Sequence, residues 1–283
     1  MTDRVTSITP TERTVVTDMG NRPDGNNIRL SICLRANGFS FSTMTMEREL
    51  LAVGEGEWDT HRPMGQWPTA QKELLAQYGI TPFDCKEVRL VVPTNQCVWV
   101  PERLYDAGRD RQYLGMVARV EGSMGVCHAW SECVRSYVVF AAPTELVTAF
   151  KVAMPGVEVV CQHAVLVDEI LLQRSAQHPV MLMHVRDGVG DFEAMWMGQL
   201  LLSNSWVCAD EGELLYHGIE VMKGLHLETP DMELAICGDV GRELYARLQH
   251  YFPNVTLYTG SPFSFSNPEL QTFHSYKHVL LLN

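Results

Sequence analysis

A chain of 283 residues is long for one small domain and suits two of about 100–150 residues each. With 46% hydrophobic and 20% charged residues it buries an ordinary core, which excludes wholesale disorder. A formal net charge of −12 without a basic run sets it against phosphate backbones, so no nucleic acid is expected as a partner.

Met1 to Asn27 is polar and lacks both a hydrophobic period and the apolar core of a signal peptide, and it is expected to form a disordered leader. Structure is expected from Ile28, where Ile28–Leu34 is apolar and β-prone. Asn37-Gly38 carries a hairpin signal, since tight primed turns need positive φ. Phe39, Phe41 and Thr43 then alternate with serines, as in a half-buried strand. A helix is expected over Pro68–Tyr78, short strands over Val88–Val92 and Cys97–Val100, and mostly helix over Pro101–Val117. Glu121–Ser136 fits no single pattern. Tyr137–Ala141 reads as a strand, Pro143–Met154 as a helix stopped by Pro155-Gly156, Val157–Cys161 as a strand and Ala164–Leu172 as a helix.

The pattern restarts at Val180. Val180–Val185 reads as a strand, Asp187–Gly190 as a turn, and Phe192–Met197 and Leu200–Val207 as strands. Asp210 and Glu213 have capping-box spacing at the head of a helix that ends near Gly224. Leu234–Cys237, a helix after Gly241, Val255–Tyr258 and a strand-like tail at His278–Leu282 complete the chain. No stretch approaches the roughly 20 apolar residues of a membrane span, so a cytoplasmic protein is expected. The eight cysteines form no Cys-x-x-Cys pair, and several lie in apolar runs. They are expected to be reduced thiols without a metal.

Both halves thus begin strand, glycine turn, strand, strand, helix, strand. This duplicated order resembles the actin-like ATPase fold, a pair of ribonuclease-H-like domains. Asp187-Gly188-Val189 followed by Phe192–Met197 is similar to that superfamily's second phosphate loop and the strand after it. Tyr137–Asp168 resembles actin-like pilus-assembly proteins in its strand, Ala-Pro step, Glu-Leu-Val helix and strand after Gly156. From Ile28 to Leu282 the chain resembles an uncharacterised Bacteroidetes family assigned an actin-like ATPase fold. That likeness rests on Leu30-Ser31-Ile32, Gly38-Phe39-Ser40-Phe41-Ser42, and Leu200–Trp206 with Asn204. The resemblance implies an α/β protein of two ribonuclease-H-like lobes, 28–177 and 178–283, each a mixed sheet of five-stranded type flanked by helices.

Actin-like chemistry needs an acidic residue at the end of the first strand of each lobe, to hold Mg²⁺ through water, with a glycine just beyond for the phosphates. At those positions this chain aligns Cys33 with Arg35, and His184 with Arg186. A thiol or an imidazole does not replace a hard oxygen ligand for Mg²⁺. The adenine-side turn aligns with Cys237-Gly238-Asp239-Val240-Gly241, where Asp239 stands for the second glycine. Asp239 is read either as a helix cap or as part of an anion site, and Gly188-x-Gly190 either as a plain turn or as an anion cradle. The positions left to hold a nucleotide or an anion weakly, in a cleft between the lobes, are Asn37, Gly38, Asp187, Gly188, Gly190, Gly238, Asp239 and Gly241.

No catalytic residue, metal or cofactor is expected, and ATP with Mg²⁺ is disfavoured. A nuclease built on Asp168, Asp187, Asp191 and Asp239 finds no motif that ties these acids together. A hydrolase would need a Cys or Ser beside a His with an orienting acid; Cys127 and His128, as neighbours on a strand, would face opposite sides, and Cys161 with His163 at strand spacing reads as sheet-face packing. The expected function is a non-hydrolysing pseudo-ATPase that binds a protein partner. The alternative is an active Mg²⁺-dependent ATPase in which Asp187 and Asp239 have taken over the acidic roles.

Overall fold

The computed structural model describes residues 11–17, 27–36, 38–57, 63–173, 178–227, 232–266, 270 and 274–282. Contacts divide the chain into two compact units that are discontinuous in sequence. One comprises 1–90, 143–158 and 263–272, and the other 91–142, 159–262 and 273–283. This division differs from a single cut at 177/178.

The first unit is built on a meander of β2 (Ile28–Arg35), β3 (Gly38–Thr45) and β4 (Glu49–Glu57). All of β3 is buried, as befits a strand paired on both edges. Within the polar leader, β1 (Thr11–Thr17) pairs antiparallel with β4, so the expectation of a loose segment fails there. Two adjacent valines in Thr-Val-Val-Thr carry no period that separates such an added edge strand from coil. The sheet runs β1-β4-β3-β2-β5-β9, with β5 at Glu87–Val92 and β9 at Glu158–Cys161. A two-residue strand, β15 (Ser264–Phe265), adds to β4 in parallel. Helices α1 (Trp67–Gln77) and α3 (Thr144–Ala153) pack together in this unit.

The second unit holds two sheets. A three-stranded sheet runs in the order β6 (Cys97–Pro101), β8 (Ser136–Pro143), β7 (Met124–Ser131). It closes over Val100, Val139 and Ala141 with Leu114 of the short helix α2 (Asp110–Gly115). The segment Glu121–Ser136 is thereby placed as mostly strand.

The five-stranded sheet of this unit contains β10 (Val180–Arg186), β11 (Val189–Trp196), β12 (Gln199–Val207), β13 (Glu233–Gly238) and β14 (Val255–Leu257). Its order is β12-β11-β10-β13-β14, with β10, β11 and β12 antiparallel and β10, β13 and β14 parallel. The same spatial order of third, second, first, fourth and fifth strand recurs in β4-β3-β2-β5-β9.

One face of the five-stranded sheet carries Met181, Met183 and Phe192. It packs on α5 (Glu211–Gly224) and α6 (Arg242–Tyr251) through Leu214, Leu248 and Phe252. Asp210 caps α5 as its spacing predicts, accepting from the N–H groups of Gly212 and Glu213 at 2.7 and 3.0 Å. The helix α4 (Gln162–Gln173) packs against β11 and β12. The tail differs from expectation. Val279–Leu281 is a buried 3-10 turn and not a strand, because a short apolar run carries no period that separates the two.

Candidate functional site

Strand geometry places the polar residues of the five-stranded sheet. Side chains alternate along a strand, so His184 and Arg186 point away from the Met181 and Met183 face. In the β10–β11–β12 register, His184 stands opposite Asp191, and Asp191 opposite Ser205. One row along, Leu182, Glu193 and Ser203 align in the same way. The first turn of α4 adds Gln162 and His163. Asp191, Glu193, Gln162 and His163 are fully buried, and His184 is nearly so.

Asp191 is the hub. Arg186 grips it with Nε on Oδ2 at 2.8 Å and Nη2 on Oδ1 at 3.0 Å. His184 Nδ1 donates to Oδ2 at 2.9 Å. Ser205 Oγ and Gln162 Nε2 donate to Oδ1 at 2.6 and 3.1 Å. A carboxylate offers about four lone-pair sites, so five donors saturate it. Burial alone would raise this carboxyl, but the hydrogen bond and charge of His184, with His163 and Arg186, hold it well below the usual carboxylate range. Gln162 also exchanges two bonds with the Thr94 backbone, and Arg186 Nη2 donates to Asn95 Oδ1 at 2.9 Å. Both tie the loop between β5 and β6 to the cluster.

His163 pairs with Glu193 through Nδ1 and Oε1. Burial disfavours the imidazolium, but the Glu193 charge, with Cys97, raises His163 well above its ordinary value. Burial likewise raises Glu193 against the pull of His163. The other ring nitrogen, Nε2, lies 3.0 Å from Ser205 Oγ. Serine, histidine and glutamate thus stand in triad order, but with the opposite proton flow. A nucleophilic serine gives its proton to a neutral imidazole. Here the Ser205 hydroxyl proton is given to Asp191 Oδ1 at 2.6 Å, which leaves the serine oxygen as the acceptor toward His163 Nε2. The cluster is an electrostatic lock that ties β10, β11, β12 and the first turn of α4 together.

The site residues expected from sequence fall as follows. Asn37 lies outside the described residues. Gly38 belongs to the first unit and opens β3 opposite Arg35, so it is a strand residue and not a turn centre. Cys33 is buried, and Arg35 pairs with Glu55 at 3.0 Å. Asp187 (φ 42°) and Gly188 (φ 74°) form the two-residue turn between β10 and β11, and both are exposed. A Cβ on Gly190 would lie 2.4 Å from Leu214 Cδ1, so this glycine serves the packing of α5. Gly238 has φ 89°, and a Cβ there would lie 2.1 Å from the Val185 carbonyl oxygen. It lets β13 leave beside β10. The exposed Asp239 donates its N–H to that same oxygen at 2.8 Å, and Gly241 is the N-cap position of α6. Because β10 and β13 are parallel, Asp187, Gly188, Gly238 and Asp239 gather at one end of the sheet.

Cys161 ends β9 whereas His163 lies in α4, so the two are not at strand spacing. Burial, with the nearby Cys97, pushes the Cys161 thiol up to about 12. None of the eight cysteines is joined in a disulfide. Among the described residues no group of three or more His, Cys, Asp or Glu side chains is arranged to hold a metal ion, and no helix is long and apolar enough to cross a membrane.

A family model described as a protein of unknown function (DUF3822) matches residues 23–255. The chain belongs to the DUF3822 family. No curated protein matches it. Among solved structures, this DUF3822 chain is similar to a Bacteroides thetaiotaomicron VPI-5482 protein described as having an actin-like ATPase fold and unknown function. The identity is 19% and the TM-score 0.71, over 89% of this chain and 96% of that one. A structure described as the PilM-PilN type IV pilus biogenesis complex matches at 12% identity and TM-score 0.53, over 90% of this chain and 96% of that one. The fold of this DUF3822 member is therefore the actin-like ATPase fold that the sequence resembles.

Proposed function

We propose that this protein is a non-hydrolysing actin-fold protein that works by binding a protein partner or scaffolding an assembly. One observation carries the reading. The end of β10, where actin-like chemistry requires a free acid, holds His184 and Arg186, and both are spent on Asp191. Phosphoryl transfer depends on positioning and on stabilising charge through Mg²⁺. A carboxylate already saturated by five protein donors has no lone pair left for a metal-bound water. Cys33 in the first lobe supplies no oxygen ligand either. Similarity to a structure described as a complex of two pilus biogenesis proteins supports a partner-binding role for the fold.

A second reading rests on Asp187 and Asp239, which are exposed at the same end of the sheet. It makes the protein a Mg²⁺-dependent ATPase with shifted acids. Calorimetry with ATP, with and without Mg²⁺, separates the two. The pseudoenzyme reading expects no turnover and at most weak, Mg²⁺-independent binding. Tight Mg²⁺-dependent binding with turnover, abolished by both Asp187→Ala and Asp239→Ala, would establish the ATPase instead.

A further inference from the structure

Strand β12 ends the five-stranded sheet, and among the described residues it pairs with β11 alone. Its nine residues carry no Lys, Arg, Asp, Glu or Pro, in a chain whose formal net charge is −12. Long edge strands are normally blunted by charge, proline, a bulge or a cover, since their outward N–H and C=O groups invite another strand. Strand β12 carries one irregularity, where Leu201 is the extra residue opposite Ala194 and Met195, and it pairs regularly from Leu202 to Val207.

The register shows which groups are outward. The two-residue turn at Asp187-Gly188 makes Arg186 and Val189 a hydrogen-bonded pair. Alternation then turns the backbones of Gly190 and Phe192 toward Trp206 and Asn204. The Cys208 N–H bonded to the Gly188 carbonyl agrees with this phase. Ser203, Ser205 and Val207 therefore face outward. The Ser205 N–H is covered by its own neighbour, Asn204 Oδ1, at 2.9 Å. Asn204 is exposed, and Val207 is 71% exposed.

We propose that β12 is a self-association surface, on which a second copy of this chain pairs antiparallel about a two-fold axis at Asn204. The sequence around that residue chooses the partner. The regularly paired stretch Leu202-Ser203-Asn204-Ser205-Trp206 is a palindrome of side-chain type. A two-fold axis through Asn204 sets Ser203 against Ser205, and Leu202 against Trp206, of the other copy. A two-fold interface requires such self-complementarity, whereas a foreign strand gives no reason for it. Ser203 and Ser205, both outward, become the hydrogen-bonded pairs, and Asn204 releases the Ser205 N–H to its new acceptor. Two acidic molecules also approach at least cost along an uncharged strand. The inference does not depend on the nucleotide reading.

The test is sedimentation of the full chain without nucleotide. Wild type is expected to dimerise. Asn204→Lys and Asn204→Asp each set like charges directly opposite across the axis. Each alone should weaken the dimer by about fivefold or more, and the effect should grow at low salt. An equimolar mixture of the two variants sets Lys against Asp and should restore association. Near-ultraviolet circular dichroism checks that the variants stay folded, which is expected because, among the described residues, the exposed Asn204 side chain bonds its neighbour's N–H alone. A wild type that stays monomeric at its highest soluble concentration overturns the proposal. So does a dimer that both single variants leave unchanged, or a mixture that associates no better than its parts.

Discussion

Replacing Asp191 by Asn tests the electrostatic lock most directly. The change keeps shape and volume but removes the charge, and it puts an NH₂ group where one oxygen accepted. Oδ2 serves Arg186 and His184, while Oδ1 serves Arg186, Ser205 and Gln162. Whichever way the amide turns, at least two buried donors face another donor. Asp191 is fully buried and the Arg186 side chain is 15% exposed, so solvent screens little of the loss. Breaking such a pair costs about 3–5 kcal/mol. With a urea slope of about 2–3 kcal/mol/M, the midpoint should fall by about 1–2.5 M.

Tryptophan fluorescence reads this transition, because Trp206 stacks on His217 in the same unit. The pH dependence has a definite sign. Asp191 is held below its unfolded value, so its contribution is complete above the unfolded pKa of about 3.9 and fades as pH falls through the folded one. The gap between wild type and variant should stay constant from neutral pH to about 5 and narrow below about 4. Adding Arg186→Met should recover part of the loss, because the unpaired cation goes with it. A cost under about 1 kcal/mol at neutral pH, or a gap that does not narrow in acid, would refute the lock.

Other consequences are simpler to measure. His163 is raised by Glu193, so its contribution is full below the unfolded pKa of about 6.5 and is lost as pH rises through the folded value. His163→Gln should therefore flatten the alkaline fall in stability seen by urea titration. Gly238→Ala meets both a left-handed φ and the Val185 carbonyl, and it should cost more than about 2 kcal/mol or prevent folding. Asp210→Ala removes a cap on α5 and should cost about 1 kcal/mol by thermal or urea unfolding.

Period and punctuation in the sequence carry the second sheet. The apolar runs at Val180 and Leu234 and the Asp210 cap each have a local cause and appear where that cause predicts, while the turn expected over Asp187–Gly190 closes in two residues, with Val189 and Gly190 already in β11. The lock does not, because its members come from positions 162, 163, 184, 186, 191, 193 and 205, and only pairing brings them together. A signal was nevertheless present. His184-x-Arg186, Asp191-x-Glu193 and Ser203-x-Ser205 each repeat at two-residue spacing in strands that are otherwise mostly apolar. Three adjacent strands polar on one face imply either a solvated face or a buried network, and α4 decides between them. The tail and β1 escaped for a different reason, since runs of four to seven residues are shorter than the period needed to classify them.

The polar row also bears on how the unit assembles. If β11 slipped by one residue against β10, Asp191 would turn toward Met183 and Leu248, and Arg186 would lose its partner. Such a mispaired meander would bury a naked charge in an apolar layer, so it is rejected as soon as the layer closes. The helix that seats on this row is made before the strands it meets, since α4 precedes β10 in the chain. Gln162 and His163 must stay hydrated until β10, β11 and β12 are all aligned, because a partial set of partners does not repay their desolvation. Docking of α4 therefore acts as a proofreading step that only the correctly threaded sheet can pass.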